Sequence, residues 1–276
     1  MMKTQVNRVA TRGRWIGVLA LLGVVTTPLT APAQTLTATE IVARSQEAFL
    51  AAGDDMRARL TMRLINKGGR ERLREMTMLR IDLEGGDQKY FIYFHRPGDV
   101  RDMSFMVWTY QGRDDDRWLF VPAVKMVRRL AADDSRSSFV GSDFTYEDVS
   151  GRDVAADTHR LTGEEPCGDR TCHVVESVPV DDEAEFGRKV SRIDTLTFLP
   201  ITEEYYDRQG ELARVYTAEE IVDVGGHPTA VRRVMTDVKR GHRTEVVFDD
   251  VAYDTGLDAD LFAERSLRRP PSDWIR

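Results

Sequence analysis

Several kinds of chemistry are excluded by what the chain lacks. Its 276 residues include only two cysteines and five histidines. His95, His159, His173, His227 and His242 never stand four apart, and no H-E-x-x-H occurs, which excludes the helix-borne zinc-hydrolase pattern. No G-x-S-x-G elbow is present. Gly68-Gly69, Gly85-Gly86 and Gly225-Gly226 each lie between strand-like runs, so they read as turns and not as phosphate loops. Asp114 to Asp116, Asp133-Asp134 and Asp181-Asp182 sit in polar loops without the spaced oxygen ligands of a calcium loop. The reading is of a non-enzyme with no metal and no cofactor. A catalytic set converging from distant strands stays open as an alternative.

Long apolar runs are also missing. The longest, Trp15 to Val25, falls short of the ~20 residues a membrane span requires. Lys3, Arg8, Arg12 and Arg14 precede it and Ala31-Pro32-Ala33 follows, so residues 1–33 read as a secretory signal peptide cut after Ala33. No cysteine follows the cut, which argues against a lipid-anchored terminus, and the mature chain is expected in the periplasm. Export removes four of the 39 basic residues and none of the 46 acidic ones, so the net charge falls from −7 to −11. That balance excludes nucleic acid as a main partner and leaves only transient contact with anionic membranes. Residues 34–276 are long enough for one large domain, and no linker or repeat divides them.

The two cysteines, Cys167 and Cys172, bracket Gly168 and Asp169, both good turn formers. In an exported chain the pair reads as a disulfide closing a hairpin.

What is present is mostly β pattern. Thr37-Ala-Thr-Glu40 is a capping box, and Ile41, Val42, Ser45, Ala48, Phe49 and Ala52 form one apolar face before Gly53. This amphipathic helix is expected to pack on a sheet. From residue 55 onward the period is two, with turns at hairpin spacing, which predicts about eleven antiparallel strands and excludes a parallel sheet. The first two strands, around Ala58–Leu64 and Glu71–Ile81, have a wet face and a dry face. Lys89–His95 is apolar on both faces, with Tyr90, Ile92 and Phe94 on one and Phe91 and Tyr93 on the other, and so is Asp102–Tyr110, with Met103, Phe105 and Val107 on one and Met106, Trp108 and Tyr110 on the other. Both sides of these strands must be covered, by an ordinary core or by a cavity with a lid. Asp258 to Arg265 reads as a short helix, and the tail beyond it, with Pro270 and Pro271, as loosely held.

Arg117–Gly151 interrupts the strand series. It opens with Trp118 and Phe120 on a strand, passes Pro122 and the run Lys125–Leu130, and ends in a polar segment carrying Phe139, Phe144 and Tyr146. Such a segment is a lid or a plug over a sheet. Arg128 and Arg129 point to opposite sides of their strand. They are a latch for the cover or solvated edge residues.

Phe120–Val149, FVPAVKMVRRLAADDSRSSFVGSDFTYEDV, resembles the signature block of the outer-membrane lipoprotein-sorting protein family, a LolA-like group. Phe91–Trp108 and Thr244–Glu264 are similar to that family too. The resemblance implies an unclosed β half-barrel whose concave, apolar side is covered by helices and a lid. It also implies periplasmic binding of acyl chains or lipoprotein cargo, beside an inner-membrane transporter of the resistance-nodulation-division type. On this reading Phe94, Phe105, Trp108, Trp118, Phe120, Met126, Phe139, Phe144 and Tyr146 contact lipid, and Arg128 and Arg129 latch the lid. A periplasmic protein-interaction or sensor module that binds a partner and no lipid is the alternative.

Overall fold

Thr37 and Glu40 cap each other at the start of the first helix: Glu40 Oε2 accepts from the Thr37 amide at 2.7 Å, and Thr37 Oγ1 accepts from the Glu40 amide at 3.2 Å. Helix α1 (Ala38–Leu50) buries Ile41, Val42 and Ser45. In this computed structural model the described residues are Met1, 36–131, 134, 136–182 and 184–275. Apart from Met1, the expected signal peptide lies outside them. Contacts divide the chain into Met1–Thr35 and Leu36–Arg276, and the architecture is that of the second unit.

All thirteen strands among the described residues join one antiparallel sheet. They are β1 (Asp55–Ile65), β2 (Glu71–Asp82), β3 (Gln88–Arg96), β4 (Ser104–Thr109), β5 (Asp116–Val121), β6 (Met126–Leu130), β7 (Asp157–Cys167), β8 (Arg170–Pro179), β9 (Arg188–Asp194), β10 (Pro200–Tyr206), β11 (Leu212–Val224), β12 (His227–Asp237) and β13 (His242–Tyr253). The count exceeds the expected eleven. The short pair β5–β6 ladders fully across the turn that starts at Pro122, from Arg117↔Leu130 to Val121↔Met126. Register shifts at Arg59/Leu60, Glu75/Met76, Leu161/Gly163 and Tyr205/Tyr206 are the bulges that bend such a sheet into an open half-barrel. Cys167 and Cys172 are joined as a disulfide at the β7–β8 turn.

The spatial order is β6-β5-β4-β3-β2-β1-β13-β12-β11-β10-β9-β8-β7. Two meanders therefore meet at β1 and β13, and the consecutive strands β6 and β7 are the two outer edges. The segment joining them, from Ala131 to Ala156, has to cross from one edge to the other. It is a strap attached at both ends and not a flap hinged at one.

Each face has its own cover. Tyr253, Met56, Arg80, Tyr90, Val107, Arg117 and Leu130 form one cross-strand row on the concave side. Leu79, Phe91, Met106 and Trp118 form the neighbouring row on the convex side. The convex row packs against Leu257, Phe262, Leu267 and Ile275 of the C-terminal segment, which contains helices α3 (Glu264–Arg268) and α4 (Ser272–Ile275). This segment is docked, contrary to the loose tail expected from Pro270 and Pro271. Trp108 Nε1 donates to the Phe262 carbonyl at 2.9 Å, Ser104 Oγ to that of Leu267 at 2.7 Å, and Arg57 Nε to that of Trp274 at 2.9 Å. Apolar contact and backbone carbonyls taken up by sheet side chains together outweigh the disorder expected of a chain end.

Candidate functional site

A cavity of about 180 Å³ lies on the concave side, over the central strands and between α1 and the strap. Its apolar lining includes Met56, Leu60 and Met62 of β1, Met76 and Met78 of β2, and Val246 and Phe248 of β13. Phe49 of α1 and Phe139 and Phe144 of the strap contribute from above. Methionine is unbranched and polarisable, so this lining can repack around varied apolar shapes.

The sequence-derived contact residues separate into four groups. Phe139 and Phe144 line the cavity. Phe94, Phe105 and Tyr146 face the concave side but lie in an aromatic cluster with Phe139, where Phe105 is 5.7 Å from Phe139 and 5.0 Å from Tyr146 between ring centroids. They seat the strap on β3 and β4. Trp108, Trp118 and Phe120 are on the other side of the sheet, beneath the C-terminal segment, which corrects their expected place in the cavity. Period-two patterning sorts side chains into two faces but does not say which face is concave. Met126 is 57 % exposed at the β5–β6 turn and is not part of this cavity's lining.

The expected latch arginines are also placed differently. Both are exposed on the edge strand β6. Arg129 pairs with Asp116 of the adjacent strand, so it stays within the sheet. Arg128 reaches Asp134, near the start of the strap, at 3.4 Å. The strap is held by more buried groups. Its helix α2 (Tyr146–Ser150) begins at a second capping box, in which Thr145 and Asp148 satisfy each other's amides. Arg214 of β11 donates to Asp148 Oδ2 at 2.8 Å and to the Asp143 carbonyl at 3.2 Å. Arg152 bonds Glu147 at 2.9 Å and Asp157 at 3.0 Å. Gln46 Nε2 of α1 donates to the Arg152 carbonyl at 2.6 Å. Gly151 has a φ of +94°, and a Cβ there would stand 2.9 Å from Leu50 Cδ1, so glycine lets the strap pass against α1.

The polar groups around the cavity are mostly neutralised. Arg80 donates to the carbonyls of Leu50, Ala52 and Gly53 at 2.5–2.7 Å and pairs with Asp82 at 3.2 Å, which satisfies the C-terminal end of α1. Lys189 and Glu203 form a pair at 3.0 Å, with Tyr205 and Ser191 also donating to Glu203. Burial opposes both charges, but each charge favours the other, so Glu203 is held below its ordinary pKa and Lys189 above its own. Arg214 is likewise raised: burial alone would lower it, and Asp148, Tyr205 and Glu185 together outweigh burial.

Arg233 of β12 differs from these. Its guanidinium lies between the rings of Phe49 and Phe248, with the Cζ 4.2 and 4.3 Å from their centroids. Nε donates to the Ala230 carbonyl at 2.8 Å. No carboxylate among the described residues pairs with it. These inward arginines were not singled out from the sequence, although the strands signal them. Arg80, Arg214 and Arg233 share parity with the core residues Met78, Tyr216 and Met235 two positions away.

A family model described as "Uncharacterized protein" matches residues 86–269. No curated protein matches. Among solved structures, the chain is similar to one described as an outer-membrane lipoprotein-sorting protein domain from Vibrio parahaemolyticus. The two share 27% identity over 84% of this chain and 98% of the other, with a TM-score of 0.78. A DUF1329 family protein from Desulfovibrio piger is 25% identical over 83% and 97% of the two chains, with a TM-score of 0.77. A LolA superfamily protein from Nitrosomonas europaea shares the fold at 20% identity and a TM-score of 0.65, over 84% of this chain and 99% of its own. The chain belongs to the family whose model matches residues 86–269, and the half-barrel and these relatives bear out its resemblance to LolA-like, outer-membrane lipoprotein-sorting proteins.

Proposed function

We propose that this protein is a periplasmic carrier that takes up acyl chains of a lipid or lipoprotein, in transit to the outer membrane, in the cavity between α1, the strap and the central strands. The observation that carries this reading is the apolar, methionine-rich concave face roofed by two separate elements. Each methylene transferred from water to such a lining contributes ~0.8 kcal/mol. The resemblance adds an inner-membrane transporter as the partner that hands over or receives the cargo.

The cavity volume of about 180 Å³ is smaller than the roughly 300–1,000 Å³ of sites that enclose drug-sized ligands. On this reading an acyl chain enters as the roof lifts, and the free energy of opening offsets part of the binding energy, which makes release feasible.

The test is titration of delipidated protein with a fluorescent acyl probe, together with mass spectrometry of lipids that copurify with it. Saturable binding that Met78→Asp weakens at least about tenfold is expected, since a carboxylate would then have to lose its water beside the chain. Absence of copurifying lipid together with no saturable binding of any acyl ligand overturns the proposal.

A further inference from the structure

The carrier reading leaves open which end of an amphiphile the cavity recognises. Five cationic side chains reach the lining: Arg80, Arg152, Lys189, Arg214 and Arg233. Four have carboxylate partners: Asp82 for Arg80, Glu147 and Asp157 for Arg152, Glu203 for Lys189 and Asp148 for Arg214. Only Arg233 has none among the described residues. Its Nε is occupied by the Ala230 carbonyl, and its terminal nitrogens meet no acceptor there.

A second orphan shares the same cavity. The Tyr216 hydroxyl is buried without a hydrogen-bond partner, on a residue only 3 % exposed. Arg233 sits opposite Ala218 in the β11–β12 ladder, and Met235 sits opposite Tyr216, so Arg233 and Tyr216 are diagonal neighbours on the concave face. The Phe49 ring touches both: it stacks on the guanidinium and meets the Tyr216 ring edge-on at 5.8 Å. Burial raises the Tyr216 phenol above its ordinary value, so it keeps its proton. A guanidinium offers only donors, and a protonated phenol has one more to give. The group missing from this corner is therefore an acceptor, and beside a half-buried cation with no carboxylate partner among the described residues it is an anion.

We infer that Arg233 and Tyr216 form a head-group subsite that binds the carboxylate or phosphate of a singly acylated anionic amphiphile, whose chain lies along the methionine lining. The assignment rests on the carrier reading and adds to it a preference for negative charge. The flanking Phe49 and Phe248 rings hold the guanidinium by cation–π contact, so the fork is oriented before the ligand arrives.

The experiment uses protein expressed from the full chain and delipidated. Palmitate, 1-palmitoyl lysophosphatidate and uncharged monopalmitoylglycerol are titrated in turn as competitors of one fluorescent acyl probe. At least one anion is expected to bind about tenfold or more tighter than the neutral lipid. Palmitate ahead identifies a carboxylate ligand, and lysophosphatidate ahead a phosphate ligand. Arg233→Met keeps the stem and removes the charge. It is expected to abolish the difference while leaving monopalmitoylglycerol within about threefold, and Arg233→Lys is expected to recover part of it. Tyr216→Phe, which removes only the hydroxyl, is expected to weaken the anion alone. Equal binding of charged and neutral lipids by the unaltered protein overturns the subsite and leaves the carrier standing. So does an Arg233→Met variant that loses both alike. Failure of all three lipids overturns the subsite, and where no lipid copurifies and no other acyl ligand binds, the carrier falls with it.

Discussion

Arg214 Nη1 lies 2.8 Å from Asp148 Oδ2, and this pair joins the sheet to the strap that crosses its open side. The two residues are 66 positions apart in sequence, one on β11 and the other in the first turn of α2. Neither side chain is more than 16 % exposed, so the charges are held largely away from water.

Removing Arg214 should loosen the roof of the cavity. Arg214→Met leaves Asp148 buried without its cation, which costs up to about 3–5 kcal/mol. Hydrogen exchange across 139–151 is expected to quicken, and acyl probe should load faster. Unchanged exchange there would mean that the aromatic cluster of Phe94, Phe105, Phe139 and Tyr146 holds the strap by itself.

The two faces of the sheet should respond differently to truncation. Trp118→Ala empties a site under the C-terminal segment, and a loss of about 3–5 kcal/mol is expected from its cavity, with affinity for acyl probe unchanged in the folded protein. Phe144→Ala acts on the cavity itself and is expected to alter probe affinity with a smaller loss of stability. Denaturant melts and probe titrations of both variants check this, and a large affinity change in the Trp118 variant would contradict the assignment of faces.

The C-terminal segment should behave as part of the core. Leu267 is fully buried against the convex face. Leu267→Ala is expected to cost about 2–5 kcal/mol. A urea midpoint that does not move would return the tail to the loosely held state suggested by its prolines.

Asp55 should make stability depend on acid. Burial alone would raise its pKa, but it accepts from Thr255 Oγ1 and from the amides of Thr255, Gly256 and Leu257 at 2.7–2.9 Å, and together these hold it below its ordinary value. A carboxyl lowered in the folded state contributes stability that is complete above its unfolded pKa of about 3.9 and is lost as pH falls through the folded value. Asp55→Asn is expected to cost about 1–3 kcal/mol at pH 7, and the gap to the unaltered protein should shrink below about pH 4. Urea midpoints at pH 7, 5 and 3 measure it, and a gap constant across that range would rule out this role.

Much of the architecture was legible because it depends on local chemistry. The Thr37–Glu40 capping box, the alternation from Ala58 to Leu64, the Gly-rich turns and the Cys167–Cys172 pair each act within a few residues, and each appears where the sequence predicts it. The short strands β5 and β6 were harder to count, since five or six residues beside Pro122 carry little periodic signal. The site was less legible. Phe105 and Trp108 stand on one strand with opposite parity, and nothing local states which of them faces the cavity.

By itself the sequence determined that the chain forms an antiparallel sheet with a capped helix, that some strands need covering on both faces, and that Phe139, Phe144 and Tyr146 belong to the cover. Only the tertiary structure decided which cover goes on which face. That choice depends on the meeting of β1 with β13, strands about 190 residues apart, which makes β6 and β7 the outer edges, and on the segment between them taking the cavity side as it crosses from edge to edge. The convex side is then left to the C-terminal segment, and Arg233 is turned inward to a cavity where no carboxylate among the described residues meets it. Alternation along a strand sets relative facing, whereas the sign of the curvature and the partner of each buried charge come from contacts distant in sequence.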